Sequence, residues 1–297
     1  MKYQKTPRNF EQQADILIAC GLIADRNELI DFLQWVNYYR FSGYLYPYRI
    51  PKSDNFQPGT TFRKIKDIYN FDSELRLLSF SAIEIIDIAI LRSQMVESFS
   101  IKYGPFCYIN NKNFYNLDIE KHKIILERIE QTINNSYEKF IIIYRNKYLD
   151  EKYLPFWMVA ETVSMGQLSL IFRYLPNDIK VPISKRFNLH SRVLTSWLHA
   201  LTVIRNITAH HCRLWNIILP VKPAVPKQVF HPSFFSPYEI SNTSYIIILA
   251  MMVHLMNVID PNNKLVLNFK RILRKYPGIP IEKMGFPNNW QDCEIFS

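Results

Sequence analysis

Glycine is scarce, at 7 of 297 residues, against an average usage of about 7%. Such a chain has little material for folds made of many tight turns, and no GxGxxG or GxxxxGK string is present to cradle phosphates. Cysteine is also thin. Cys20, Cys107, Cys212 and Cys293 are scattered, with no CxxC pair and no Cys/His spacing that suits zinc. A disulfide framework and a structural metal are therefore not expected; neither metal nor cofactor is called for, and a reducing cytoplasm fits. The opening residues MKYQKTPRNFEQQ have no apolar stretch behind their basic residues and do not read as a secretory signal. The longest apolar run, 245–253, is interrupted by His254 and Asn257, short of the roughly 18 residues that a membrane span requires. It reads as a buried core helix, with no membrane partner. Alternating strand patterns, internal repeats and low-complexity tracts are missing as well.

What is abundant is positive charge. Lys and Arg number 36 against 26 Asp and Glu, a formal net charge of +10 with pI near 9.3. That surplus favours a polyanionic partner such as nucleic acid or an acidic membrane surface. The bland account of the same surplus is a coding bias that enriches lysine, asparagine, isoleucine and tyrosine together.

Apolar spacing and caps predict an all-α fold of about eight helices, with proline-rich loop insertions at 45–60 and 220–237. Asn9 suits the N-cap of a first helix ending at Cys20, with Gly21 as its stop. A second helix spans 26–38. Thr60 or Thr61 caps a long helix over 62–102, ended by Gly104-Pro105. Further helices are expected over 118–148, 156–175, 190–215, 243–259 and 262–275, before an irregular tail. The division is an N-terminal helical segment with an aromatic and basic loop (1–60), a helical domain (61–276) and a C-terminal tail (277–297).

The helix over 190–215 holds the candidate chemistry. An arginine followed by four to six residues and a histidine is the short signature of HEPN-type ribonucleases, and three pairs match it: Arg192 with His199, Arg205 with His210, and Arg205 with His211. At 100° per residue, Trp197, Leu201, Ile204, Thr208, His211 and Trp215 share an apolar stripe, while His199, Val203, Asn206, His210 and Arg213 share a polar one. Helix phase therefore selects His210 over His211, which falls on the core side as a core or supporting histidine. Asn206 lies one turn before His210 and can meet it. Arg205 lies about 140° around from His210, so its guanidinium must reach round the helix. Together, a histidine base for a 2′-hydroxyl, an arginine for the extra negative charge on phosphorus and an asparagine to orient them suit RNA cleavage without a metal.

The residues around this motif are specific. The run Ile204-Arg205-Asn206-Ile207-Thr208-Ala209-His210-His211-Cys212-Arg213-Leu214-Trp215-Asn216 closely resembles the RN-x-x-AHH-x-RLWN block of AbiD/AbiF-like abortive-infection proteins, a branch of the HEPN superfamily. In the same order, NYYRFSGY (37–44) resembles their NYYRLSGY element, PGTTF (58–62) their PGTTF turn, FDSELR (71–76) their FDRELR segment, and KYGPF (102–106) their KYGPF stop. LPFW (154–157), followed by Glu161 and Ser164-Met165-Gly166, is similar to their LPLW…E…S-F-G stretch. Thr208 stands where a cysteine is common and Phe41 replaces a leucine. The resemblance implies a HEPN-like helical bundle, a toxin or phage-defence role, dimerisation, and a structured small RNA that restrains the protein.

Other residues have two readings. The stretch from Trp35 to Arg49, including Tyr39 and Arg40, is either a stacking platform for unpaired bases or core packing. The acid-free cluster of Lys264, Lys270, Arg271, Arg274 and Lys275 is either a grip on phosphates or a solvated helix face. Arg92, in an apolar part of the long helix, needs a partner: it supports the site or pairs with Glu84 or Glu97. The expected function is a metal-independent endoribonuclease acting as a homodimer on an RNA substrate. The alternative is a non-catalytic RNA-binding regulator of the same fold.

Overall fold

The structure, a computed structural model, describes residues 6–297. It is all-α, and among the described residues the only β pairing consists of two isolated bridges. There are more helices than the eight expected, because several long periodic stretches are broken by local caps. The stretch over 118–148 divides into α6 (Ile119–Asn134) and α7 (Lys139–Lys147). The stretch over 156–175 divides into α8 (Phe156–Thr162) and α9 (Met165–Tyr174), because the Ser164 hydroxyl and the Gln167 side chain form a capping box that restarts the helix. Two helices had no sequence expectation at all. They are α3 (Tyr38–Leu45), inside the supposed aromatic loop, and α10 (Asn177–Arg186), which contains Pro182.

The first turns of the chain follow their local chemistry. Asn9 and Gln12 form a capping box for α1 (Phe10–Ala19), Asp25 caps α2 (Arg26–Trp35), and Thr61 caps α4 (Phe62–Ile86). Residues 87–95 continue α4 as a π-helical segment, and α5 (Val96–Tyr103) carries the same rod to Gly104, whose φ of +82° turns the chain away.

This rod organises the rest. Against α4 lie α3, α11 (Ser191–Ala209), α12 (Tyr245–Ile259) and α13 (Leu265–Lys275). The apolar run that read as a core helix is α12, buried along nearly its whole length, and no helix among the described residues is long and apolar enough to cross a membrane. Phe32, Phe41, Tyr44, Phe62 and Tyr69 meet edge to face and seat the N-terminal helices on α4. The segment 277–297 is irregular, as expected, but not loose: Met284, Phe286, Trp290 and Phe296 are buried, and the three rings pack against Phe269 of α13 or one another.

Candidate functional site

The helix carrying the Arg/His motif ends earlier than its periodicity predicts. It runs from Ser191 to Ala209 with His210 as the C-cap, so the phase argument does not extend to 210–215. His211 adopts φ +57°, the left-handed conformation. Its N–H donates to the Thr208 carbonyl (3.0 Å) and the N–H of Cys212 to the Ile207 carbonyl (2.9 Å), which is the Schellman pattern. The end of α1 has the same two bonds, from Gly21 to Ile18 and from Leu22 to Leu17, with Gly21 in the left-handed position at φ +96°. A histidine thus stands where a glycine would cost least.

Three tethers hold the chain in this early exit. The Asp72 carboxylate accepts hydrogen bonds from the backbone N–H groups of Leu214 (3.0 Å) and Trp215, from the Tyr44 hydroxyl and from the Arg76 guanidinium. Arg213 donates to the Gly43 carbonyl, and Arg40 to the His211 carbonyl. Asp72 is fully buried; burial pushes its carboxyl up, and Arg76, Tyr44 and the two amides oppose that push by favouring the ionised form. The tethers draw NYYRFSGY, FDSELR and the block ending RLWN together around one carboxylate. Asp72 and Arg76 had no expected role, and Tyr44, in the aromatic stretch with its two readings, falls on the core side and bonds this carboxylate. Their common signal was polar residues, Asp72 and Arg76, inside an apolar helical pattern.

The consequence for the histidines is direct. His210 and His211 are both exposed, and the expected burial of His211 on the core stripe is corrected: the left-handed residue leaves the helix and takes its ring out of that stripe. The Asn206 side chain does not meet His210. Instead its Oδ1 accepts from Arg205 at 3.4 Å, while its backbone carbonyl accepts the His210 N–H at 3.0 Å.

Around this helix end lie three cavities. One of about 630 Å³ holds Arg205, whose guanidinium sits 5.9 Å from the centre of the Phe80 ring, with Asp87, Arg92 and Glu161 also on its wall. Burial pushes the Asp87 carboxyl up, opposed by the positive charges of Arg92 and Arg205. A shallow one of about 440 Å³ is lined by Tyr39, Arg40, His211 and Arg213. The largest, about 1040 Å³, runs beside α11 and holds His199 and Asn206. Arg205 and Asn206, neighbours in sequence, therefore open onto different cavities and touch each other between them.

The remaining candidates separate. Arg92 does not pair with Glu84 or Glu97. Its Nε donates to Asp87 (3.0 Å), and its guanidinium also bonds the carbonyls of Ala160 and Val163, so it fastens the π-helical segment to the end of α8. The π geometry explains the choice, since i→i+5 winding stacks residue 92 over residue 87. Tyr39 is 85% exposed beside His211, whereas Tyr44 and Tyr48 are buried, so the aromatic stretch divides between surface and core. On α13, Lys270 donates to the Phe296 carbonyl (3.2 Å) and holds the C-terminal segment. Arg271 and Arg274 are exposed and make only local bonds, to Asn268 and to the Lys270 carbonyl; Lys275 pairs with Glu74 at 2.6 Å. None of these α13 residues lines the three cavities at the end of α11.

No curated protein and no solved structure matches the chain. A family model, described as Abi-like protein, matches residues 31–216, from within α2 through the last residue of the RLWN block. This span contains every tether described above, and the chain belongs to the Abi-like protein family.

Proposed function

We propose that the protein is a metal-independent endoribonuclease of a bacterial abortive-infection system, with a HEPN-type site at the end of α11. The observation that carries this reading is the pair of exposed histidines at that helix end, one of them in the left-handed conformation, beside Arg205 and Asn206. A strained residue costs stability and persists where the surroundings over-determine it, as functional sites often do. Here three separate tethers enforce it.

The chemistry needs a base, an acid and a positive charge. His210 takes the proton of a 2′-hydroxyl, the resulting alkoxide attacks the adjacent phosphorus, and the bond from phosphorus to the 5′-oxygen breaks. The departing oxygen takes a proton from a second imidazole, His211 or that of a second copy of the chain, leaving a 2′,3′-cyclic phosphate and a 5′-hydroxyl. Arg205 and Asn206 stabilise the added negative charge. A two-fold homodimer would place two such helix ends in one composite cleft, and a structured small RNA would restrain the enzyme by occupying it.

The test is incubation of the protein with total RNA and with tRNA in the presence of EDTA, comparing it with His210→Ala and His211→Ala. Fragments ending in cyclic phosphate, lost in His210→Ala, are expected; cleavage by His210→Ala at the wild-type level refutes the site, and the His211→Ala result tells whether the acid is His211 or the imidazole of a second copy. The second reading, an RNA-binding regulator, draws on the Arg205 guanidinium, which lies against Phe80 and on the wall shared with Asp87 and Glu161. Retained RNA binding without any cleavage by the wild type selects it.

A further inference from the structure

The cleft of about 1040 Å³ beside α11 has no aspartate or glutamate on its wall. Arg173 of α9, Lys180 of α10, and Arg192 and His199 of α11 line it, with His190 at one end and Asn206 at the other. None of the three permanent cations has an acidic partner among the described residues. Lys180 is half-buried, and its ammonium donates to the Arg173 carbonyl at 2.9 Å, which brings the two cationic residues to the same wall. Burial without a counter-ion pushes the Lys180 amine down, so an anion at this place would relieve it. The α11 wall is a single stripe: Arg192, Thr195, His199, Thr202 and Asn206 recur at helical spacing and turn a row of donors to one side.

We propose that this cleft is the track for a single-stranded segment of RNA that leads to the Arg205–Asn206 pair. The length of the wall decides for a strand over a single nucleotide. From Arg192 to Asn206 the helix rises about 21 Å, several nucleotides' worth, with a polar side chain at each step of the stripe rather than one cluster at a single point. Hydroxyl and imidazole groups between the cations can meet phosphate and 2′-hydroxyl groups, and Tyr115 at the wall can stack on a base. The far end of the stripe is Asn206, which touches Arg205, so a strand held here is delivered to the residues that the ribonuclease reading requires. The inference rests on RNA as the ligand, and its test reads binding, apart from cleavage.

The experiment is fluorescence anisotropy of a labelled single-stranded 12-nucleotide RNA over a range of salt concentrations. The proteins compared are the wild type, the combined Arg173→Ala, Lys180→Ala and Arg192→Ala variant, and a charge-matched control replacing the exposed Lys112, Lys121 and Lys139. With three phosphate contacts gone, the cleft variant is expected to bind at least about tenfold more weakly, with the slope of log affinity against log salt reduced by about 2. The control is expected to keep the wild-type slope. Binding is read apart from cleavage, so binding without cleavage by the wild type would leave the cleft standing while removing the ribonuclease reading. Equal weakening in the control, or wild-type binding by the cleft variant, overturns the proposal. So does competition by uridine monophosphate or inorganic phosphate as effective as competition by the unlabelled strand. If the triple variant fails to fold, Arg192→Glu alone serves, since an acid in the first turn of α11 suits the helix dipole; it too must weaken binding for the proposal to hold.

Discussion

The carboxylate of Asp72 and the backbone N–H of Leu214 are 3.0 Å apart and 142 residues apart in sequence. This contact, repeated at Trp215, decides where α11 stops. A continued helix would direct these two amides back at the carbonyls four residues earlier. Asp72 takes them instead, and the two histidines before them are presented to solvent.

Replacing Asp72 by Asn removes the charge that Arg76 and Tyr44 face and leaves a buried guanidinium without its partner. The expected cost is about 3–5 kcal/mol in urea unfolding. RNA cleavage should fall further than the folded fraction does. Tyr44→Phe, which removes one donor and no charge, should cost only about 1 kcal/mol.

His211→Gly relieves the left-handed residue and should raise stability by about 1 kcal/mol. His210→Ala removes an exposed side chain and should leave the unfolding midpoint nearly unchanged while lowering cleavage by about 10²–10⁴-fold. Thermal melts and a cleavage assay on the same preparations separate the two roles; a stability loss in His211→Gly would contradict the strain.

Arg92→Ala should be more damaging than its partly exposed surface implies. The change leaves the Asp87 carboxylate without its pair and the Ala160 and Val163 carbonyls without a donor. A loss of about 3–5 kcal/mol is expected from the stranded charge alone. The paired change of Asp87→Asn with Arg92→Ala should recover part of it, which a double-mutant cycle measures.

Stability should decline on the acid side through His231 and His254. The rings lie 5.3 Å apart and both pack against Phe234, with His254 also against Trp197; His254 bonds the Phe187 carbonyl at 2.8 Å, and burial lowers both imidazoles from the ordinary 6.5. The unfolded chain then binds protons that the folded chain refuses, so this stability is complete above about pH 6.5 and is lost as pH falls through the lowered folded values. Urea midpoints should be level at neutral pH and drop from about pH 6.5 downward. His254→Gln keeps a donor for Phe187 and should flatten that drop.

Much of this molecule is written locally. Scarce glycine, caps such as Asn9 and Thr61, and three- and four-residue apolar spacing led to an all-α bundle, and the motif blocks led to the family that the 31–216 match shows. The breaks at Ser164 and within 134–139 were less legible, because apolar periodicity runs across them while a capping box or a few polar residues interrupt the helix. The end of α11 was not legible at all. Thr208, His211 and Trp215 keep helical spacing, so periodicity alone extends the helix and places His211 in the core.

The sequence by itself determined which residues gather at that helix end, since Arg205, Asn206, His210 and His211 are neighbours along the chain. Only the tertiary structure decided how they face. Asp72, Arg40 and the Gly43 carbonyl arrive from elsewhere in the chain and capture backbone or side-chain groups beyond Ala209. Local propensity differences of well under about 1 kcal/mol per residue cannot outweigh several buried charged hydrogen bonds. Long-range partners therefore set the exit of the chain and, with it, the exposure of both histidines.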